Sequence, residues 1–512
     1  MASKELVLAM WVLIGVYALF ILWLVGRGLR RTQNLAEYAL GSFGFSPLAV
    51  GLSLAASMTS AATFIINPGF IAMYGWSGVL SLAIALPAAA LVSLVILTKG
   101  FRQQGQAVKA LTLAQWIGSR YQSRGFALFF AFLSLLLITF IVLICVGLTA
   151  ILSQSLNLPA LPVLIGLVGF VFGYMMFGGA NAMVYTNMVQ AILMIVVAVI
   201  LLGSGYEHFR GGIVGFWEKL RAIDPQLVKW QNAQSPLFRD FFEIIVCQIV
   251  VGVAIVCQPH ILTKSLLLKG ERDVNRYLWV AVSVEILFFW VVFVGLYARL
   301  QFPDLTVGGT ALKMDSIMSV YVVQEFSVYV GLLVVMGLIA AGLSTLEGLI
   351  QSLSTTITVD IFKNGLGLFN ARGRLWGMSE VWFNRLVIIV LGVVSVYLSY
   401  QQILSPNLSV GIFAQNGVYA YFSAAFVPVL FGTFLRQVPL SVPVAASVAA
   451  VAVHFSVYYG HLTPYTQPPV ANPGVASALA ILSALGVGIF TYWATYRSDT
   501  SSLDFRKANV NS

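Results

Sequence analysis

Charge is scarce in this chain. Of its 512 residues only 9% are Asp, Glu, Lys or Arg, whereas 59% are hydrophobic. A soluble domain carries about 25% charged residues, so a water-soluble globular fold is excluded. Cysteine is scarcer still: Cys145, Cys247 and Cys257 are the whole complement, and all three fall inside apolar stretches. There is no disulfide framework and no metal-ligand spacing, and the three read as small buried hydrophobes. The chain also lacks a clustered set of histidines and carboxylates and a nucleophile elbow, which leaves an integral membrane enzyme without its chemistry.

Apolar sequence is what the chain has in abundance. A helix that crosses a bilayer needs roughly 20 mostly apolar residues. Such windows recur at 6–27, 47–74, 77–98, 125–155, 160–178, 184–205, 243–263, 277–301, 326–358, 383–402, 407–434, 440–459 and 475–497. About thirteen transmembrane helices are expected, in an all-α polytopic membrane protein with a single membrane domain over 1–512. The first window follows only "MASKE", without a small-residue cleavage site, and reads as a retained helix.

The formal net charge of +10 would suit nucleic acid, but the placement of the charges points elsewhere. With the N-terminus outside, 20 of the 28 basic residues fall on inner segments, among them Arg30, Arg31, Lys109, Lys264, Lys269 and Arg372. This is the positive-inside bias of a multi-pass protein. It puts the chain in the cell (inner) membrane with a cytoplasmic C-terminus and the lipid bilayer as its setting, and it argues against nucleic acid; no obligate protein partner is evident. The short polar tail leaves no room for an output or enzyme domain.

Most windows are unbroken runs of Leu, Val, Ile, Ala and Phe, so working residues are sought where that monotony fails. It fails first in "SLAASMTSAAT", Ser53 to Thr63, where five hydroxyls precede Asn67-Pro68-Gly69. One membrane hydroxyl usually bonds back to its own helix. Five beside a Pro-Gly pair suggest a break in the hydrogen-bond ladder, whose freed carbonyls need a partner away from lipid. A desolvated cation is one such partner. The second failure, Val246 to Lys264, carries Gln248, Gly252, Gln258, Pro259 and His260. Interrupted helices at positions two and seven are what an inverted repeat of two five-helix units produces.

The third failure is Ala341 to Gly348, "AGLSTLEG". At 100° per residue, Ala341, Ser344, Thr345 and Gly348 share a stripe and Glu347 lies to one side. Two carbonyls from the broken helix with one carbonyl and two hydroxyls from this stripe would give a sodium ion five oxygens; close helix packing by small residues is the competing explanation. Glu347, an acidic residue within the membrane, is a functional candidate as a counter-charge to sodium, a partner for a substrate amine or a proton carrier, with a neutral structural hydrogen bond as the remaining alternative. Glu285 has a weaker claim, because nothing polar neighbours it in sequence.

On these residues the chain resembles the sodium/solute symporter family of proline, pantothenate, acetate and sugar symporters. "LSLAASMTSAATFIINPGF" is similar to its first core helix, "YMMFGGANAMVYTNMVQ" to its Gly-Gly and Thr-Asp-x-x-Gln stretch, "QPHILTKSLLLK" to its Gln-Pro-His segment, and "AAGLSTLEGLIQSLSTTITVDIF" to its sodium-site helix. The resemblance implies a LeuT-like fold with core repeats over 47–205 and 243–434, a flanking helix at 6–27 and flanking helices over 440–497. It also implies a sodium site formed by the carbonyls of Ala56, Thr59 and Ala341 and the hydroxyls of Ser344 and Thr345. Two departures remove carboxylates: Met58 and Asn187 stand where relatives have aspartate.

Sodium-coupled symport of a small organic solute is therefore expected, with Ser57, Ser60, Thr63, Gln248, Gly252 and Gln258 as candidate solute contacts and Glu347 as the coupling residue. An organic anion such as a monocarboxylate or pantothenate-like acid is favoured, since "RAIDPQLV" and "FPDLTV" resemble the pantothenate branch. The alternatives are proton- or sodium-coupled amino-acid uptake through Glu347 and, more distantly, a membrane solute sensor. A channel would show a filter sequence or charged rings, and none is found.

Overall fold

In lipid, backbone N–H and C=O groups have no water to bond, so long apolar runs close their hydrogen bonds internally as helices. The computed structural model describes residues 4–29, 34–41, 44–108, 110–268, 270–370, 373–404 and 409–510. Arg30, Arg31, Lys109, Lys269 and Arg372, counted above with the inner segments, lie outside the described residues. The long helices are α1 (Lys4–Leu29), the pair α2 (Pro47–Met58) and α3 (Ala62–Tyr74), α4 (Trp76–Gln103), α5 (Arg124–Leu156) and α6 (Ala160–Ser204). There follow the pair α7 (Phe242–Ile255) and α8 (Pro259–Leu267), α9 (Arg272–Gln301), α10 (Val328–Gly365), α11 (Glu380–Leu404), α12 (Val410–Phe434), α13 (Ser441–Tyr459) and α14 (Pro473–Thr495). The only strands among the described residues are two short hairpins, Thr306–Ala311 and Arg374–Ser379.

Among the described residues ten helices are long and apolar enough to cross a membrane, and twelve when each bent pair is one span. Thirteen were expected, and the difference lies in α6. At 45 residues it would run about 68 Å as one rod, more than twice the hydrocarbon core of about 30 Å. It is not one rod: Gly179, between the expected windows 160–178 and 184–205, has φ 54° and ψ −161°. A side chain there would meet Tyr38, whose carbonyl oxygen lies 2.9 Å from the Cβ position. Left-handed backbone and a close neighbour both demand glycine.

The two bent pairs turn by 52° and 58°. In the second, the chain leaves the helix at Val256–Gln258 and Pro259 opens α8, as its missing N–H allows. The first differs from expectation. Pro68 and Gly69 do not break the helix; the break is at Thr59–Ser60, and Pro68 sits just after a wide π-helical turn, Ala62–Ile66. Widening the turn accommodates the proline ring without ending the helix.

α10 and α12 are the most enclosed helices, with 78% of their apolar windows buried against 11% for α1, so α1 is peripheral and α10 central. All three cysteines are buried and free. Beyond the helices, Asp315 caps the start of α12: its carboxylate accepts from Ser409 Oγ at 2.7 Å and from the Val410 N–H at 3.0 Å. Burial pushes the Asp315 carboxyl above the usual carboxylate range, and these two hydrogen bonds oppose the rise. Loss of a cap costs about 1 kcal/mol. Asp315→Ala is therefore expected to speed amide exchange at Val410–Phe413 about fivefold, measured by hydrogen–deuterium exchange; unchanged protection would mean the cap holds nothing.

Candidate functional site

At Thr59 (φ −94°, ψ 111°) the chain leaves helical geometry, and carbonyls just before such a break lose their partners one turn ahead. They turn to α10. Ser344 Oγ lies 2.6 Å from Ala56 O and 3.0 Å from Ala341 O. Thr345 Oγ1 lies 3.1 Å from Ser57 O and 3.4 Å from both Thr59 O and Ala341 O. Four carbonyl oxygens thus face two hydroxyls that carry one proton each. The cluster is fully buried, and its shortage of donors is one that a small cation makes good. Ala56, Thr59, Ala341, Ser344 and Thr345, read from the sequence as a set, are brought together here.

Glu347 is held by α6 and makes no hydrogen bond to these carbonyls and hydroxyls among the described residues. Its Oε1 accepts from Tyr174 Oη at 2.6 Å and Gln190 Nε2 at 3.1 Å, and its Oε2 from Thr186 Oγ1 at 2.6 Å. These donors come from α6 on both sides of Gly179. Glu285 is not without polar neighbours: Thr59 Oγ1 donates to its Oε2 at 2.5 Å, while its Oε1 has no partner among the described residues. α9 thereby holds the Thr59 side chain, and with it one edge of the break.

Lys264 is the residue that sequence reasoning misplaced. Counted with the inner segments, it is instead 2% exposed. Its Nζ donates to Ser53 O and Ser53 Oγ at 2.7 Å each and to Ser57 Oγ at 2.6 Å. The available signal was its place four residues past Gln258-Pro-His260, at the edge of an apolar window. The structure turns the short α8 by 58° from α7 and brings Lys264 against α2.

A cavity of about 110 Å³ opens between the two breaks and α12. Ser60, Thr63 and Gln258 line it as expected, joined by Asn67, His260 and Tyr419, which sequence reasoning had not placed there. The Gln258 Oε1 and His260 Nδ1 have no protein partner among the described residues. Three candidate solute contacts are not brought to the cavity. Ser57 is turned to Lys264 and to the Ser344 carbonyl. Gln248 is buried beside Gly474 at the start of α14, and Gly252 presses on the Leu86 carbonyl of α4. They sit on the wrong helical faces, because each of α2 and α7 has one stripe toward the break and others toward neighbouring helices.

Many membrane crossings, two broken helices five crossings apart with α6 counted twice, and a polar cavity between the breaks define a secondary transporter of the LeuT-like class. The chain belongs to the sodium:solute symporter family, whose model matches residues 38–441. It is 32% identical over 345 residues to the sodium/pantothenate symporter of Escherichia coli (strain K12), covering 64% of this chain and 67% of that protein. To the sodium/proline symporter of Salmonella typhimurium it is 24% identical over 506 residues, 96% of this chain and 93% of the other. Its fold is similar to a Na+-coupled sialic acid symporter solved in a substrate-bound outward-open state, with a TM-score of 0.73 at 17% identity over 94% and 98% of the two chains. The protein is thus a multi-pass membrane symporter that uses sodium to move a small organic solute, and not an enzyme.

Proposed function

We propose that the chain takes up a small organic acid, pantothenate-like or a short monocarboxylate, with sodium bound by Ala56, Thr59, Ala341, Ser344 and Thr345. The observation that carries this reading is the donor-poor oxygen cluster between α2 and α10, beside the cavity. The Ser344 and Thr345 hydroxyls turn their protons away and offer lone pairs when sodium enters, so the ion ties α10 to the broken helix. Solute then binds between the breaks, and the repeats over 47–205 and 243–434 rock about the site. Ion and solute need not touch; each has only to favour the same conformations.

Two features support an anionic solute. The N-terminal ends of α3 and α8, the positive ends of their dipoles, flank the cavity at Ser60 and Thr63 and at Gln258 and His260. No carboxylate lines the cavity among the described residues, which disfavours an amine-bearing solute. Glu347 lines neither this cavity nor the smaller one beside Lys264, which weakens its reading as an amine partner. The basic residues of the connecting segments support an outside N-terminus and a cytoplasmic C-terminus in the cell (inner) membrane.

In proteoliposomes, an inward sodium gradient is expected to drive uptake of radiolabelled pantothenate or a short monocarboxylate, unaffected by a protonophore. Uptake driven by a pH gradient without sodium would overturn the reading and move coupling to Glu347.

A further inference from the structure

Lys264 and Glu347 are both buried beside the oxygen cluster, and no ion pair joins them directly among the described residues. They are joined through Asn187. With its amide oxygen facing Lys264, Asn187 accepts from Lys264 Nζ at 3.1 Å and from Ser57 Oγ at 2.8 Å. Its nitrogen then donates to Glu347 Oε2 at 3.1 Å and Gln190 Oε1 at 2.9 Å. In the opposite orientation the amide nitrogen faces the ammonium and the oxygen faces the carboxylate, so only one orientation satisfies the network. Glu347 then accepts four hydrogen bonds, a full complement for a carboxylate that accepts only.

The ammonium is seated as a metal ion would be, with the Ser53 carbonyl and the Ser53 and Ser57 hydroxyls within 2.7 Å. This seat is on α2: Ser53 lies about one turn before Ala56, and Ser57 stands between Ala56 and Thr59. Ser57 joins the two: its hydroxyl accepts from Lys264, gives its proton to Asn187 and lies 3.1 Å from the Ser344 carbonyl.

We infer that Lys264 is a tethered cation that occupies an oxygen seat adjoining the sodium cluster and sets the sodium affinity, with Glu347 serving as the lysine's counter-charge rather than sodium's. This inference rests on the sodium site proposed above. Removing the ammonium frees the Ser53 and Ser57 oxygens and leaves the Glu347 charge to act on sodium alone. Removing the carboxylate leaves the ammonium unbalanced beside the site. The two changes must therefore move sodium affinity in opposite directions. A unit charge buried beside the site, acting through an effective dielectric constant of about 20 or more and screened further as its neighbours rearrange, shifts affinity by about three- to tenfold.

The test uses the full-length protein in detergent, with sodium titrated against its thermal unfolding and against binding of radioactive sodium. Lys264→Met is expected to lower the half-saturating sodium concentration about three- to tenfold, and Glu347→Gln to raise it by a similar factor. The double variant K264M/E347Q is expected within about twofold of the parent, and Lys264→Arg likewise. A purely structural role would weaken sodium binding in both single variants and give no recovery in the double. Should one single variant fail to fold, the other decides together with the double: a single variant that does not shift in its stated direction, or a double that does not return toward the parent, overturns the inference. K264M that leaves sodium affinity unchanged or weakens it overturns it as well. Failure of the underlying site is separate: there, removal of the Ser344 and Thr345 hydroxyls would leave sodium binding intact whatever the state of Lys264.

Discussion

Exchanging Ser344 and Thr345 together for alanine is expected to raise the sodium concentration that half-saturates uptake by about 10- to 100-fold. Each hydroxyl oxygen lost is a polar contact to a charge, worth about 1.5–3 kcal/mol, and water entering the small space left behind recovers part of it. The fold should survive, because the hydroxyls' bonds to Ala56 O and Ser57 O are neutral ones worth about 1 kcal/mol each. Thr345→Ser keeps the oxygen and should keep the affinity, which separates ligand loss from altered packing. Sodium activation that is untouched in the double alanine variant would remove Ser344 and Thr345 from the site.

The second large effect is structural. A Cβ on Gly295 would lie 2.1 Å from the Pro68 carbonyl oxygen and 2.7 Å from the Ile71 Cβ, so α9 meets α3 here with nothing between their backbones. Gly295→Ala must push the second half of the broken helix aside at a cost of about 3 kcal/mol. The midpoint of thermal unfolding in detergent is expected to fall by about 6–10 °C on the per-kcal scale of single domains. Solute affinity should weaken too, since α3 carries Ser60, Thr63 and Asn67 into the cavity. An unchanged midpoint would show that the helices can separate here without loss.

Much of the candidate site was readable in the sequence. Ala341, Ser344 and Thr345 announce themselves because they interrupt apolar monotony at helical spacing, and in lipid such interruptions seldom go unused. The helix break at Gln258-Pro259 is legible for the same reason, through a residue that cannot donate. Pro68 misled, because a π-helical turn accommodates proline just as a break would, and sequence does not distinguish the two. Ser57, Gln248 and Gly252 misled because a polar or small residue signals that it faces something other than lipid, without saying what. Lys264 was missed because a lysine at the end of an apolar window looks like any loop charge.

Composition and periodicity alone decided that the chain lies in a bilayer, that its backbone is helical, and that its two interrupted helices lie five positions apart. Those are properties of local segments, set by the cost of exposing charge and unpaired backbone to hydrocarbon. Tertiary structure alone decided which oxygens share a pocket, that Lys264 comes to lie against α2, and that Asn187 stands between it and Glu347. Those depend on where helices hundreds of residues apart in sequence come to rest, since an electrostatic contact acts over a few ångströms of space and is blind to separation along the chain.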